Sequence, residues 1–135
     1  MLFRSATPLA LSSTATLRND TLAGYAKDTS TSTGCSYYGG PDRVYAVTIP
    51  AGKTFATTIT PTAFDTVVNL VLGTPANCVA SGMLCAASKD SSFTSGAETL
   101  TYANTTGADV NGFLIVGSYS STTFGAYTLS AQVTP

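Results

Sequence analysis

The chain is 135 residues long, 10% charged, with a formal net charge of −1, no histidine, no tryptophan and a single glutamate, Glu98. Without histidine, acid–base chemistry at neutral pH falls to tuned carboxylates or lysines, so the composition argues against an enzyme. Its six basic residues (Arg4, Arg18, Lys27, Arg43, Lys53, Lys89) are scattered singly and no apolar run nears the ~20 residues that span a bilayer, so neither nucleic acid nor a transmembrane segment is expected.

Residues 1–6 read as a truncated or artefactual end. Leu2 and Phe3 precede Arg4, and Pro8 interrupts the short apolar stretch, unlike a signal peptide. Residues 7–134 read as a single domain. Residues 7–17 read as a first, edge strand, followed by turns at Asn19-Asp20 and Ala23-Gly24. Residues 27–41 form a long polar loop ending in Gly39-Gly40-Pro41. Residues 43–49 alternate, with Tyr45, Val47 and Ile49 on one face, and a tight turn at residues 50–53 leads to residues 54–60, where Phe55, Thr57 and Ile59 alternate with Ala56 and Thr58.

Residues 66–72 are almost continuously apolar, which predicts a strand covered on both faces. A short strand near residues 84–88, a Ser/Gly loop over 89–97 and an alternating strand over 98–103 follow. After a turn at 104–109, residues 111–118 carry Phe-Leu-Ile-Val, the most buried-looking run. Residues 124–133 close the fold with Tyr127, Leu129, Ala131 and Val133 inward. About eight short strands with turn signals every roughly 8–12 residues, and no sustained helical period, predict an all-β, two-sheet antiparallel sandwich of jelly-roll-like topology.

The cysteines are Cys35, Cys78 and Cys85. Cys78 and Cys85 flank a short loop, and a disulfide between them is expected, which implies an oxidising, extracellular or cell-surface location. Cys35 is then the odd one, read as a free or partly buried thiol or as an intermolecular bridge.

The run Gly40-Pro41-Asp42-Arg43-Val44-Tyr45-Ala46-Val47-Thr48-Ile49-Pro50-Ala51-Gly52 resembles the bacterial pre-peptidase C-terminal domain family, in which an Asp, two residues and a Tyr lead into a strand and a Pro-x-Gly turn. Phe64-Asp65-Thr66-Val67-Val68-Asn69-Leu70 is similar to the family's aromatic-Asp strand entry. Cys78 and Cys85 resemble a loop cysteine pair of related domains, and Gly125-Ala126-Tyr127-Thr128-Leu129 resembles the closing strand. The resemblance implies a secreted β-sandwich appended to exported proteins, usually non-catalytic, with collagen- or carbohydrate-binding and calcium-binding members. This chain departs from the pattern at Ala86-Ala87-Ser88-Lys89-Asp90, where relatives often carry an acidic cluster.

Two sets of side chains are candidates for function. Tyr37, Tyr38, Tyr119 and Phe124, with Phe93, sit in or beside loops, where aromatics either stack on a ligand or plug the ends of the core. Adjacent Tyr37 and Tyr38 cannot both point inward. Asp42 and Asp65 either fix strand entries by turn chemistry or join a structural calcium site with Asp90, Asn69 or backbone carbonyls. No nucleophile–base motif is present, so no catalytic residue is expected. Asn19-Asp20-Thr21 and Asn104-Thr105-Thr106 match the N-glycosylation pattern. The expected role is a non-catalytic extracellular module for adhesion, targeting or secretion of a larger exported protein, which binds a polysaccharide or protein polymer. The alternative is a self-assembling subunit of an extracellular filament or surface layer, joined through Cys35 or an edge strand.

Overall fold

A computed structural model describes residues 6–27, 34–73 and 85–135. Period-two alternation sets the architecture, because each strand buries one face in a shared interior. The strands are β1 (Thr7–Pro8), β2 (Thr16–Thr21), β3 (Asp42–Ile49), β4 (Thr54–Pro61), β5 (Thr66–Leu72), β6 (Cys85–Lys89), β7 (Glu98–Ala103), β8 (Val110–Ser118) and β9 (Ala126–Thr134). They form a five-stranded sheet in the order β1-β3-β8-β5-β6 and a four-stranded sheet in the order β2-β9-β4-β7. Pairings β2–β9, β3–β8, β4–β7 and β5–β6 are nested antiparallel pairs, as in one long hairpin rolled on itself. Pairs β4–β9 and β5–β8 then join these into sheets, which is a jelly roll.

Between the sheets, Tyr45, Val47, Ile49, Val68, Leu70, Leu114 and Val116 face Phe55, Ile59, Leu100, Tyr127, Leu129 and Ala131. A second apolar layer covers the outer face of the five-stranded sheet: Tyr38, Val44, Val67, Val71, Phe113 and Ile115. Strand β5 is therefore buried on both faces, as its continuous apolar run predicts.

Two expectations about the first strand and its turn change. Residues 7–17 are not one strand: Thr7–Pro8 pairs in parallel with β3, whereas Thr16–Thr21 belongs to the other sheet, paired with β9. Asn19-Asp20 is not a turn but lies within β2, because Asp20 is drawn to Arg43 on the facing sheet. The turn at Gly52 forms as expected, with a φ of 74° that favours glycine.

The disulfide joins Cys35 to Cys85, with a Cα–Cα distance of 5.1 Å, which corrects the expected Cys78–Cys85 pairing. The cause is local. The β5–β6 register shifts between Leu70 and Val71, so that Cys85 pairs with Val71 and packs on the outer layer beside Cys35. Cys78 lies outside the described residues. Cys35 is neither a free thiol nor available to bridge two chains while this bond is closed. No helix among the described residues is long and apolar enough to cross a membrane.

Candidate functional site

Every residue singled out above for ligand or metal binding lies at one end of the sandwich. That end is built by the connections β2–β3, β4–β5, β6–β7 and β8–β9, and backbone hydrogen bonds sew them together. Gly39 N–H donates to Tyr119 O (3.0 Å), Gly40 N–H to Ser118 O (2.9 Å), Tyr119 N–H to Asp65 O (2.9 Å) and Ser95 N–H to Phe64 O (2.9 Å).

Residues 34–40 run as a strap over the outer face of the five-stranded sheet. Asn69, fully buried in the middle of β5, grips it like a peptide unit: Ser36 N–H donates to its Oδ1 (2.9 Å) and its Nδ2 donates to Ser36 O (3.1 Å). The disulfide closes one residue earlier. Two residues later Tyr38 is buried, and its hydroxyl donates to Asp42 Oδ2 at 2.8 Å. The Lys27 ammonium lies 4.7 Å from the centre of the Tyr38 ring. Gly117 makes room for that ring, since a Cβ there would stand 2.8 Å from a Tyr38 carbon.

The strap turns Tyr37 outward. Its ring is 60% exposed and meets Tyr119, itself 49% exposed, edge to face with centroids 5.7 Å apart. Tyr25, Phe93 and Phe124 are exposed in the same set of loops. Of the six large apolar side chains exposed among the described residues, all but Leu17 belong to this end. Tyr38, by contrast, is a core residue and does not join the exposed set.

Beside Tyr119 lies a cleft of about 340 Å³ lined by Asp65, Asp90, Ser91, Ser92, Phe93 and Tyr119. Glu98, at the start of β7, shapes it: its Oε1 accepts from the N–H groups of Ser91 (2.8 Å) and Ser92 (2.5 Å). Burial, then the charge of Glu98, pushes the Asp65 carboxyl above its usual range. Asp90 is raised by burial, then by Asp65 and Glu98. Asp65 Oδ1 is buried with no hydrogen-bond partner.

Asp65 and Asp90 thus share the cleft, whereas Asp42 does not line it and instead holds Tyr38. Among the described residues there is no group of three or more His, Cys, Asp or Glu side chains placed to hold a metal ion. Chemically, the end offers aromatic rings for stacking and carboxylate and hydroxyl oxygens for hydrogen bonds or a cation. Of the two glycosylation patterns, Asn104 is spent on structure: it is buried, and its Nδ2 donates to Ile49 O and Ala108 O, both at 2.9 Å.

Sequence reasoning passed over Glu98 as a support and took Asn69 as a candidate calcium ligand, whereas its side chain is spent on the Ser36 backbone. The signal was present in both: a polar residue inside an apolar strand, and the chain's single glutamate at a strand start, each need a partner when buried. Comparison with protein-family models, curated proteins and solved structures returns no match to this chain.

Proposed function

We propose that this chain is a non-catalytic extracellular module that holds a polymer, polysaccharide or protein, against the loop end of its jelly roll, as an appended part of a larger exported protein. The observation that carries this reading is the placing of exposed Tyr25, Tyr37, Phe93, Tyr119 and Phe124 in the loops of one end, where Phe93 and Tyr119 line a cleft with two carboxylates and Tyr37 meets Tyr119. Scattered exposed apolar residues need no explanation, but a grouped set marks a contact surface. Rings supply flat apolar area for sugar or peptide faces, and the oxygens beside them fix orientation. The disulfide is in keeping with an oxidising compartment. The resemblance to pre-peptidase C-terminal domains supports the same reading, since Asp42 and Phe64-Asp65 stand at the strand entries of this end.

The test is depletion from solution onto insoluble chitin, cellulose and cross-linked gelatin. The double variant Tyr37→Ala plus Tyr119→Ala is expected to lose about tenfold or more in retention, the scale of losing central aromatic contacts. Equal retention of this folded variant and the wild type on every polymer the latter binds would sink the reading.

A second reading, self-assembly through a sheet edge, draws on β7. This six-residue edge strand of the four-stranded sheet carries no lysine, arginine or proline to block strand addition. Light scattering separates the two: a concentration-independent monomer favours the binding module, and growing oligomers abolished by Thr101→Pro favour assembly.

A further inference from the structure

We infer that the Cys35–Cys85 bridge and Asn69 are positioning elements for Tyr37, so that the loop-end aromatic face is assembled only in the oxidised chain. The inference rests on the polymer-binding reading of that face and adds its control.

The strap that carries Tyr37 has no β-ladder between residues 34 and 39. Before Tyr37 it is docked by a covalent bond at Cys35 and the paired hydrogen bonds of Asn69 to Ser36, and after Tyr37 by the buried Tyr38 ring under its bond to Asp42 and by the Gly39 and Gly40 N–H groups on Tyr119 O and Ser118 O. Tyr37 stands between these anchors and meets Tyr119, whose backbone oxygen is bound by Gly39 N–H. The jelly roll itself supplies Tyr119 from the end of β8, so one half of the ring pair belongs to the sheet and the other half to the strap. Only the second half depends on the bridge.

Reduction follows thiol–disulfide exchange. A thiolate of a dithiol reductant attacks one sulfur of the bridge, the other sulfur leaves as a thiolate, and the reductant's second thiolate resolves the mixed disulfide. Two electrons and two protons pass to the protein, leaving thiols at Cys35 and Cys85 and a cyclic oxidised reductant. The strap then loses its covalent anchor, its hydrogen bonds to Asn69 open more often, and it samples positions in which Tyr37 leaves Tyr119. Of the nested strand pairs only β5–β6 carries a bridge cysteine, Cys85 at the end of an edge strand, and the pairs β2–β9, β3–β8 and β4–β7 do not involve the bridge, so the fold itself remains.

The experiment compares the Cys78→Ser chain, oxidised and after dithiothreitol, with Asn69→Ala in the oxidised form. Three readouts are followed: the nuclear Overhauser contact between the Tyr37 and Tyr119 rings, hydrogen exchange at the Ser36 amide, and retention on chitin, cellulose and cross-linked gelatin. Cooperative thermal melting confirms a folded chain throughout. Expected on reduction are loss of the ring contact, Ser36 exchange at least tenfold faster, and retention lowered to that of Tyr37→Ala, which then loses nothing more. Asn69→Ala is expected to speed Ser36 exchange and weaken the ring contact with the bridge intact. A reduced chain that keeps both the ring contact and slow Ser36 exchange overturns the inference. Redox-dependent contact and exchange in a chain that binds none of the polymers would uphold the positioning and refute the polymer-binding reading instead.

Discussion

Asp20 shows how one side chain closes the flank between the sheets. Its Oδ2 accepts from Arg18 Nε (3.0 Å) and the Tyr45 hydroxyl (2.5 Å), and its Oδ1 faces Arg43 Nη1 (3.1 Å). Tyr45 passes the network to Tyr127 through a 2.6 Å hydroxyl contact, and burial above all pushes the Tyr127 phenol up to about 12. Burial alone would raise the Asp20 carboxyl, but the Tyr45 and Arg18 hydrogen bonds and the charges of Arg43 and Arg18 outweigh it and hold the pKa below its ordinary value. A depressed carboxylate stabilises the fold above the unfolded-state pKa, and that contribution is lost as pH falls through the folded value. Asp20→Asn is therefore expected to cost about 2–3 kcal/mol at pH 7. That is below the usual range for breaking a buried pair, because the Asp20 and Arg43 side chains retain 11% and 14% exposure. Urea unfolding at pH 7 and in steps down through the folded-state titration of Asp20 checks this. The gap between variant and wild type should shrink toward zero in acid, and a gap that persists there would refute the electrostatic account.

At the scale of elements, the strap and strand β8 fit each other through an absence of atoms. Gly117 lies under Tyr38, and a Cβ at Gly40 would collide with the Ser120 carbonyl oxygen. Gly117→Ala must push the Tyr38 ring off β8, and overpacking of this kind costs about 1–3 kcal/mol. Tyr37→Ala, one residue from the buried ring, should change stability by no more than about 0.5 kcal/mol, as exposed sites do. Urea midpoints of the two variants test the pair, and a large loss for Tyr37→Ala would show that it is a packing residue. That the two tyrosines point opposite ways was readable from the sequence, but not which one is buried: Tyr38, expected with Tyr37 among the ligand-binding residues, is the core residue. Strands β3, β4, β5, β7 and β8 were readable too, because alternation and apolar runs are local signals with one structural answer. The cysteine pairing was not, since closeness in sequence favoured Cys78 while a bulge in β6 turned Cys85 toward a strap 50 residues away in the chain. Nor was the place of Asp20, where an ion pair across the sheets overrode a local turn signal. The strap's grip on Asn69 depends on contacts 33 residues apart, which no window of sequence contains.

Across the whole molecule the charges are unevenly matched. Arg18 and Arg43 are both engaged with Asp20, and no basic residue among the described residues lines the cleft that holds Asp65 and Asp90. The jelly roll brings these carboxyls together with Glu98 because the β4–β5 and β6–β7 connections end at the same end of the sandwich. A carboxyl whose folded pKa is raised destabilises the fold once it ionises: the cost is absent below the unfolded pKa and complete above the folded one. Asp65→Asn is thus expected to stabilise the chain at pH 7 by roughly a few tenths of a kcal/mol, the scale of a solvent-screened site. The gain should disappear below about pH 3, where both proteins carry a neutral group. Calcium decides what the cleft accepts. If it holds a cation, millimolar calcium chloride raises the melting temperature of the wild type and leaves Asp65→Asn unmoved, since binding to the native state alone stabilises it by mass action. If neither protein responds, the carboxylates serve as acceptors for polymer hydroxyls, and Asp65→Asn plus Asp90→Asn should weaken retention without lowering stability.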